Sequence, residues 1–519
     1  MYIGLDLGTS GLKGIALDAR GEVVARASAE YPTSRPSPHA AQQDPADWIA
    51  ALDRVTARLR QLADPGRWHT IGLSAMLPTL VTTGADGQPL GPAITWEDSR
   101  AEAEGTWLRE TRGASQLYWM TGQVVDGRYL LPMAIRLAGA EPDRVAGTKM
   151  VMGAKDYLFG LLTGTFATDP STATGFGCYR LADGLWDDAT LELAARRGAP
   201  IGHLTRPALP PVLPSVTTLP LRPEWATRLG CGQIPVCLGA ADSVLGVYGL
   251  GLGRPGDIGY VAGTSTVILG VTDRLLLDPD RRFLVTPMAE SGQWGLEMDL
   301  LATGSSLRWL ANLLGEGLTE ADLIMMASRC DPAQAPVMLP FLSPGEQGAL
   351  WDPLLRGTIT GLTLGHDRQH LARSLVNGIV LESRRCLSVL DETAEFSGDI
   401  LVAGGSANAA AFRADLADAT GRRVITPSGE QTDFSARGAA LLAARAIGPM
   451  RRADMEDPAG TRDPAGAPDS CGAVIPSPAG TAGEAPRISE PDPARAAIWA
   501  SLWNSHERTR LAITSHYHG

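Results

Sequence analysis

The chain has little cysteine. Its 519 residues include six, Cys178, Cys231, Cys237, Cys330, Cys386 and Cys471, and no two form a CxxC pair. So few thiols in so long a chain exclude a disulfide scaffold, and they read as buried and inert. The eight histidines contain no HExxH motif and no metal-type cluster. Aromatic residues make up 6%, and 45 Lys and Arg are outweighed by 57 Asp and Glu, for a net charge of -12. An acidic surface repels phosphate backbones and anionic lipid, so neither nucleic acid nor membrane is an expected partner. No apolar run approaches the ~18–20 residues a bilayer span needs. The chain opens directly on the strand-like run Tyr2-Ile3-Gly4-Leu5, without the basic start and apolar core of a signal peptide, and a cytoplasmic location is expected. What the chain does have, 44% hydrophobic and 20% charged residues over this length, suits a globular protein of two or more domains.

The opening alternates short strand-like runs, Ile3–Leu7, Leu12–Leu17 and Val23–Ala27, separated by Gly-containing turns. Connections this short favour antiparallel hairpins over parallel crossovers. A helix is predicted from about Pro45 to Leu62: Asp44 is a plausible cap, Pro45 fits the first position, and Trp48, Leu52, Val55 and Leu59 recur at helical spacing. Far downstream a strand-like run ending at Ala262 leads through Gly263-Thr264-Ser265 into Thr266 and Val267–Val271. This repeats the opening device and suggests an internal duplication. A long helical pattern follows from Asp367 to about Asp391, then a strand, Ile400–Ala403, and a helix from about Ala436 to Ala446. Residues 451–488 are rich in Pro, Gly, Ala and Asp and read as a flexible insertion. A terminal helix, Ala494–Thr514, should pack back through Ile498, Leu502 and Trp503.

Four short elements carry chemistry. In Asp6-Leu7-Gly8-Thr9-Ser10-Gly11-Leu12-Lys13, glycines let backbone N–H groups approach an anion, and Thr9 and Ser10 add hydroxyls. Asp6 at a strand end can hold water around Mg²⁺, and Lys13 can offset phosphate charge. The octapeptide is neither a Walker A loop nor a GxGxxG fingerprint, and a plain hairpin turn is its competing explanation. In Gly239-Ala240-Ala241-Asp242-Ser243, a carboxylate at a strand end among small residues suits a base that accepts a hydroxyl proton. A helix cap is the alternative there. Gly263-Thr264-Ser265-Thr266 is a second phosphate-type turn. Gly404-Gly405-Ser406-Ala407-Asn408 follows a strand and can lay backbone against a base or ribose, or simply start a helix.

The four elements, in this order, resemble the FGGY family of carbohydrate kinases. Pro92–Arg100, Lys155-Asp156-Tyr157-Leu158 and the stretch Gly357–Ser374 add to the likeness, which spans about residues 1–446 and looks closest to xylulokinases. The resemblance implies an α/β protein of two ribonuclease H-like, actin-like domains with an interdomain cleft. The sugar-binding domain would be 1–246 and the nucleotide-binding domain 247–450, with the insertion 451–488 and the closing helix in 489–519. It implies MgATP as phosphate donor and a small sugar as acceptor, and it admits a homodimer. Carried over by position, Asp242 is the catalytic base, and Asp6, with Asp242, organises Mg²⁺ through water. Gly8, Thr9, Ser10, Lys13, Gly263, Thr264 and Ser265 cradle the phosphates, while Gly404, Gly405 and Asn408 flank the adenosine. Met76, Leu77, Trp96, Asp98 and Arg100 fall at the sugar end.

The chain departs from the xylulokinase pattern where a sugar-contacting Gln-Met-His-Gly is expected, because Met76-Leu77-Pro78-Thr79 stands there. A site built to hydrogen-bond a hydroxyl discriminates strongly, so this loss should change the preferred sugar. The reading is a kinase for a pentulose such as D-xylulose. The alternatives are a kinase for another ketose or polyol, a sugar-sensing relative that does not catalyse, or an actin-like ATPase without a sugar substrate.

Overall fold

The structure, a computed structural model, describes residues 1–201, 208–343, 348–352, 354–393, 396, 398–427, 433–448 and 486–518. The opening three strands, Tyr2–Leu7, which is buried throughout, Gly11–Leu17 and Val23–Glu30, form an antiparallel meander. The six-stranded sheet built on it runs Thr218–Pro220, Pro235–Ala241, Thr70–Ala75, Tyr2–Leu7, Gly11–Leu17, Val23–Glu30. Thr70–Ala75 is parallel to Tyr2–Leu7 on one side and to Pro235–Ala241 on the other. The helix Pro45–Leu62 forms where expected: the Asp44 carboxylate accepts the Ala46 N–H, Pro45 opens the helix, and Trp48, Leu52, Val55 and Leu59 are buried. They join Ile3, Leu5, Leu7, Ile71, Leu73, Val236 and Leu238 in one core, each such side chain contributing ~1.5–3 kcal/mol when fully buried.

The chain divides into two compact units. Among the described residues, the first holds Met1–Gly251, Pro287–Ser291 and 433–448, and the second holds Leu252–Thr286, 292–427 and 486–518. The helix Phe434–Ala446 therefore packs with the first unit, although it falls inside the second expected domain, 247–450. The reason is close approach. A Cβ on Gly4 would lie 1.8 Å from the Ala436 carbonyl oxygen, and one on Gly72 would lie 2.0 Å from that of Ala439, so bare glycine in two neighbouring strands lets this helix lie directly on the sheet.

The second unit repeats the plan. Its hairpin, Ile258–Ala262 and Thr266–Thr272, sits in a seven-stranded sheet of order Leu284–Pro287, Trp294–Leu300, Thr266–Thr272, Ile258–Ala262, Ile400–Gly404, Val424–Thr426, Arg487–Ser489. In both sheets the first hairpin strand has its antiparallel mate on one side and a parallel strand on the other. The long helix Arg368–Thr393 forms as predicted.

The strand Arg487–Ser489 begins inside the expected insertion 451–488, because it pairs antiparallel with Val424–Thr426. Positions 451–485 lie outside the described residues. The terminal helix runs Pro493–His518, and its buried face centres on Trp499 and His506. Ile498, Leu502 and Trp503 are only half-buried. Arg384 and Arg385 stack on the Trp503 ring, which holds the indole partly at the surface.

Candidate active site

In the first unit, three parallel strands, Tyr2–Leu7, Thr70–Ala75 and Pro235–Ala241, end on one edge of the sheet. The carboxyl edge of parallel strands is where open α/β sheets bind ligands. Asp6 and Asp242 both reach this edge. Asp6 is buried in strand register opposite Ser74 and Lys13, and its Oδ1 accepts the Ser74 hydroxyl at 2.8 Å. Burial pushes its carboxyl above the usual range, and the Ser74 hydrogen bond and the Lys13 charge pull the other way. Lys13 itself is half-exposed, and its Nζ lies 3.4 Å from Asp433 Oδ1. Asp242 opens the helix Asp242–Gly249. Its Oδ1 accepts the Ser243 N–H at 2.9 Å, and its carbonyl accepts the Ser435 hydroxyl at 2.9 Å.

The turn Gly8-Thr9-Ser10 is held from outside. Gly8 N–H donates to Gly11 O at 3.1 Å, and the Tyr31 hydroxyl donates to Gly8 O. Gln43 Nε2 donates to Thr9 O at 2.7 Å, and Trp96 Nε1 donates to Thr9 Oγ1 at 3.0 Å. Trp48 Nε1 in turn donates to Gln43 Oε1 at 2.9 Å. Tyr31 and Gln43 lie 23 and 34 residues along the chain from their partners in the turn, and no local pattern marks them.

The expected sugar-end residues divide. Met76 is 2% exposed and belongs to the core, its N–H donating to Leu7 O at 3.0 Å. Asp98 is also buried, accepting the Ala41 N–H at 2.9 Å and pairing with Arg100 at 2.7 Å, so its carboxylate ties two loops together. Leu77 and Trp96 are half-buried, with Leu77 beside Gly175.

In the second unit, Gly263 N–H donates to Ser265 O at 2.8 Å, and the start of the helix Gly304–Leu314 closes on this turn. Ser305 N–H donates to Thr264 O at 3.1 Å, and a Cβ on Gly304 would lie 2.3 Å from Gly263 O. Gly263 and Thr264 are exposed. Gly404 has φ +97°, and a Cβ there would lie 1.9 Å from Ala262 O, so its glycine is required by the backbone. Gly405 and Asn408 line a cavity of about 830 Å³ whose wall also includes Arg308, Asn312, Ile324 and Met325. Arg413 braces the 406–408 turn by donating to the Ala407 and Asn408 carbonyls at 2.7 and 2.9 Å.

Two family models match. Residues 1–249 fit the N-terminal domain, and 259–447 the C-terminal domain, of the FGGY family of carbohydrate kinases. The chain belongs to this family. The kinase is 31% identical to the xylulose kinase of Escherichia coli K12 over 451 residues, 86% of this chain and 90% of that one. It is 26% identical to the gluconokinase of Bacillus subtilis 168 (86% and 87% covered) and 29% identical to the glycerol kinase of Acidovorax sp. JS42 (86% and 90% covered). The solved xylulose kinase of Rhodospirillum rubrum superposes with a TM-score of 0.85 at 28% identity, with all of both chains covered. The expected actin-like, ribonuclease H-like α/β fold is thereby shown, and the kinase is a phosphotransferase with an alcohol group as acceptor.

Among the described residues, no group of three or more His, Cys, Asp or Glu forms a metal cage, and no helix is long and apolar enough to cross a membrane. Mg²⁺ is commonly held by one or two carboxylates plus substrate phosphates. The Asp6 carboxylate suits that mode by its chemistry and place: it stands at the strand end beside the bare Gly8, a Cβ on which would lie 3.8 Å from its Oδ2.

Proposed function

We propose that the kinase transfers the γ-phosphate of MgATP to a hydroxyl of a pentulose, D-xylulose being the first candidate. The observation that carries this reading is the placement of Asp6 and Asp242 on one edge of one sheet, beside a glycine turn. In this reading the Asp242 carboxylate accepts the proton of the attacking hydroxyl, which moves late in a loose phosphoryl-transfer transition state and needs only a well-placed weak base. The turns Gly8-Thr9-Ser10 and Gly263-Thr264-Ser265 offer threonine and serine hydroxyls to phosphate oxygens, the Gly8 and Gly263 N–H groups being used to close the turns themselves. The cavity at Gly405 and Asn408 takes the adenosine. Asp6, with Asp242, would hold Mg²⁺ through water, and the ion when bound neutralises charge on the phosphates. Use of MgATP as donor supports the expected cytoplasmic location.

D-xylulose is supported by the relatives in E. coli and R. rubrum. A second reading, a gluconate or polyol acceptor, is favoured by the gluconokinase and glycerol kinase relatives and by the apolar Met76-Leu77-Pro78 segment. ADP release with MgATP against pentuloses, pentitols, gluconate and glycerol separates the two. A flat panel from protein that still binds nucleotide would point to a sugar sensor. Asp242→Ala should lower turnover on the winning sugar by about 10³-fold with nucleotide binding retained. Substantial residual phosphorylation would refute Asp242 as the base.

A further inference from the structure

Three charged side chains lie behind the proposed base with no task in the reaction. Lys155, Asp156 and Asp169 are each at most 1% exposed, and Lys155 Nζ lies 3.0 Å from Asp156 Oδ1 and 3.1 Å from Asp169 Oδ1. Taking such ions out of water costs several kcal/mol apiece, and burying them adds little net stability. Helix capping accounts for Asp156, which accepts the Gly153 N–H at 3.0 Å. It accounts for only part of Asp169.

Asp169 Oδ2 accepts two hydroxyls, Ser171 Oγ at 2.5 Å and Ser215 Oγ at 3.1 Å. Each serine then meets the strand that leads to Asp242. Ser171 Oγ accepts the Ala241 N–H at 2.9 Å, and Ser215 O accepts the Gly239 N–H at 3.0 Å. These N–H groups belong to the two residues flanking Ala240, where pairing with Thr70–Ala75 shifts register between Cys237 and Ala240. Gly239 has φ +75°, and a Cβ on it would lie 1.6 Å from Leu73 O. A bulge of this kind re-aims the side chains beyond it, and Asp242 follows directly on Ala241, the last residue of the strand. The polarity is fixed as well. A carboxylate only accepts, so the Ser171 proton points to Asp169 and its lone pair is left for the Ala241 N–H.

We propose that Lys155, Asp169 and Ser171 form a buried relay that holds the Ala241 peptide and thereby the direction of the Asp242 carboxylate. They are positioning residues, and the inference rests on Asp242 being the base. Lys155 supplies the counter-charge for Asp169, Asp169 orients the Ser171 hydroxyl, and Ser171 holds the peptide. Ser171 is 0% exposed, so it acts on the sugar only through its neighbour.

The test uses the full chain and the acceptor found on the panel. Ser171→Ala should lower kcat by about 10²-fold, the scale of a ~1 Å misplacement, with KM for sugar and MgATP within about threefold, ADP affinity unchanged and a native melting profile. Ser171→Thr, which keeps the hydroxyl, should recover most of the turnover. The isosteric Asp169→Asn should show the same split between kcat and KM. A lowered melting temperature with undiminished kcat would mark plain scaffolding and overturn the relay. Measuring Asp242→Ala alongside keeps the two readings apart. If it is dead while Ser171→Ala is fully active, only the relay falls. If it is active, the base assignment falls and takes the relay with it.

Discussion

The turns Gly8–Ser10 and Gly263–Ser265 have the same three residues in the same place between paired strands, yet the side chains just behind them differ. In the first sheet Asp6 lies opposite Lys13 and beside Ser74. In the second, Val261 lies opposite Val267 and beside Ala403. Three polar groups are replaced by three apolar ones on the same scaffold. The backbone turn is therefore common to both sheets; in the proposed reading it cradles phosphate in each, and only the first has a carboxylate one register behind it that could also serve a cation. A further difference lies one residue on. Ala75 pairs with Leu7 in the first sheet, where Gly404 pairs with Ala262 in the second. The first sheet accommodates a methyl there and the second does not.

Exchanging the distinguishing residue breaks the comparison most severely. Asp6→Val gives the first turn the second turn's neighbour, and should lower turnover by about 10³-fold or more while ADP still binds. A variant with near-normal turnover would show the carboxylate to be dispensable. Gly404→Ala gives the second sheet the first sheet's alanine. The left-handed backbone and the Ala262 carbonyl resist it, so it should cost ~3 kcal/mol or more, seen as a lower melting temperature in calorimetry. An unchanged melt would show that the strand ends can separate.

The smallest effect concerns the buried ions. The first unit's Lys155 cluster has its counterpart in Glu382, His506 and Arg385 of the second, where Glu382 Oε1 meets His506 Nε2 at 2.6 Å. Burial alone would raise the Glu382 carboxyl, but Arg385 and then His506 outweigh it and bring it down to about 2 from 4.5. A group whose folded value is depressed stabilises fully above its unfolded value and loses that contribution as the pH falls toward the folded one. The terminal helix Pro493–His518 should thus be unaffected at neutral pH and lose ~1 kcal/mol by pH 3.5. Glu382→Gln should flatten this acid dependence in melts followed by tryptophan fluorescence.

Local patterns were enough for the hairpins, for the helix Pro45–Leu62 and for the order of the four site elements, because turn chemistry and periodicity are written within a few residues. Burial could not be read that way. Met76 and Asp98 look like ligand contacts by position, but both are buried, since which face of a loop turns inward depends on partners far along the chain. The same holds for Tyr31 and Gln43 at the first turn and for Ser171 against Ala241, 70 residues apart. The terminal helix buries Trp499 and His506 in place of the more apolar-looking Ile498 and Leu502, and the burial of His506 rests on its bond to Glu382.

The bare strip at Gly4 and Gly72 governs the order in which the protein can be built. The helix that covers it, Phe434–Ala446, is translated some 360 residues after Gly72. A nascent chain can therefore form the first sheet early but must carry it with one face open until most of the polypeptide has left the ribosome. At elongation rates of ~5–20 residues per second, that exposure lasts tens of seconds, a window in which a chaperone, or the cost of aggregation, would act on this half of the enzyme.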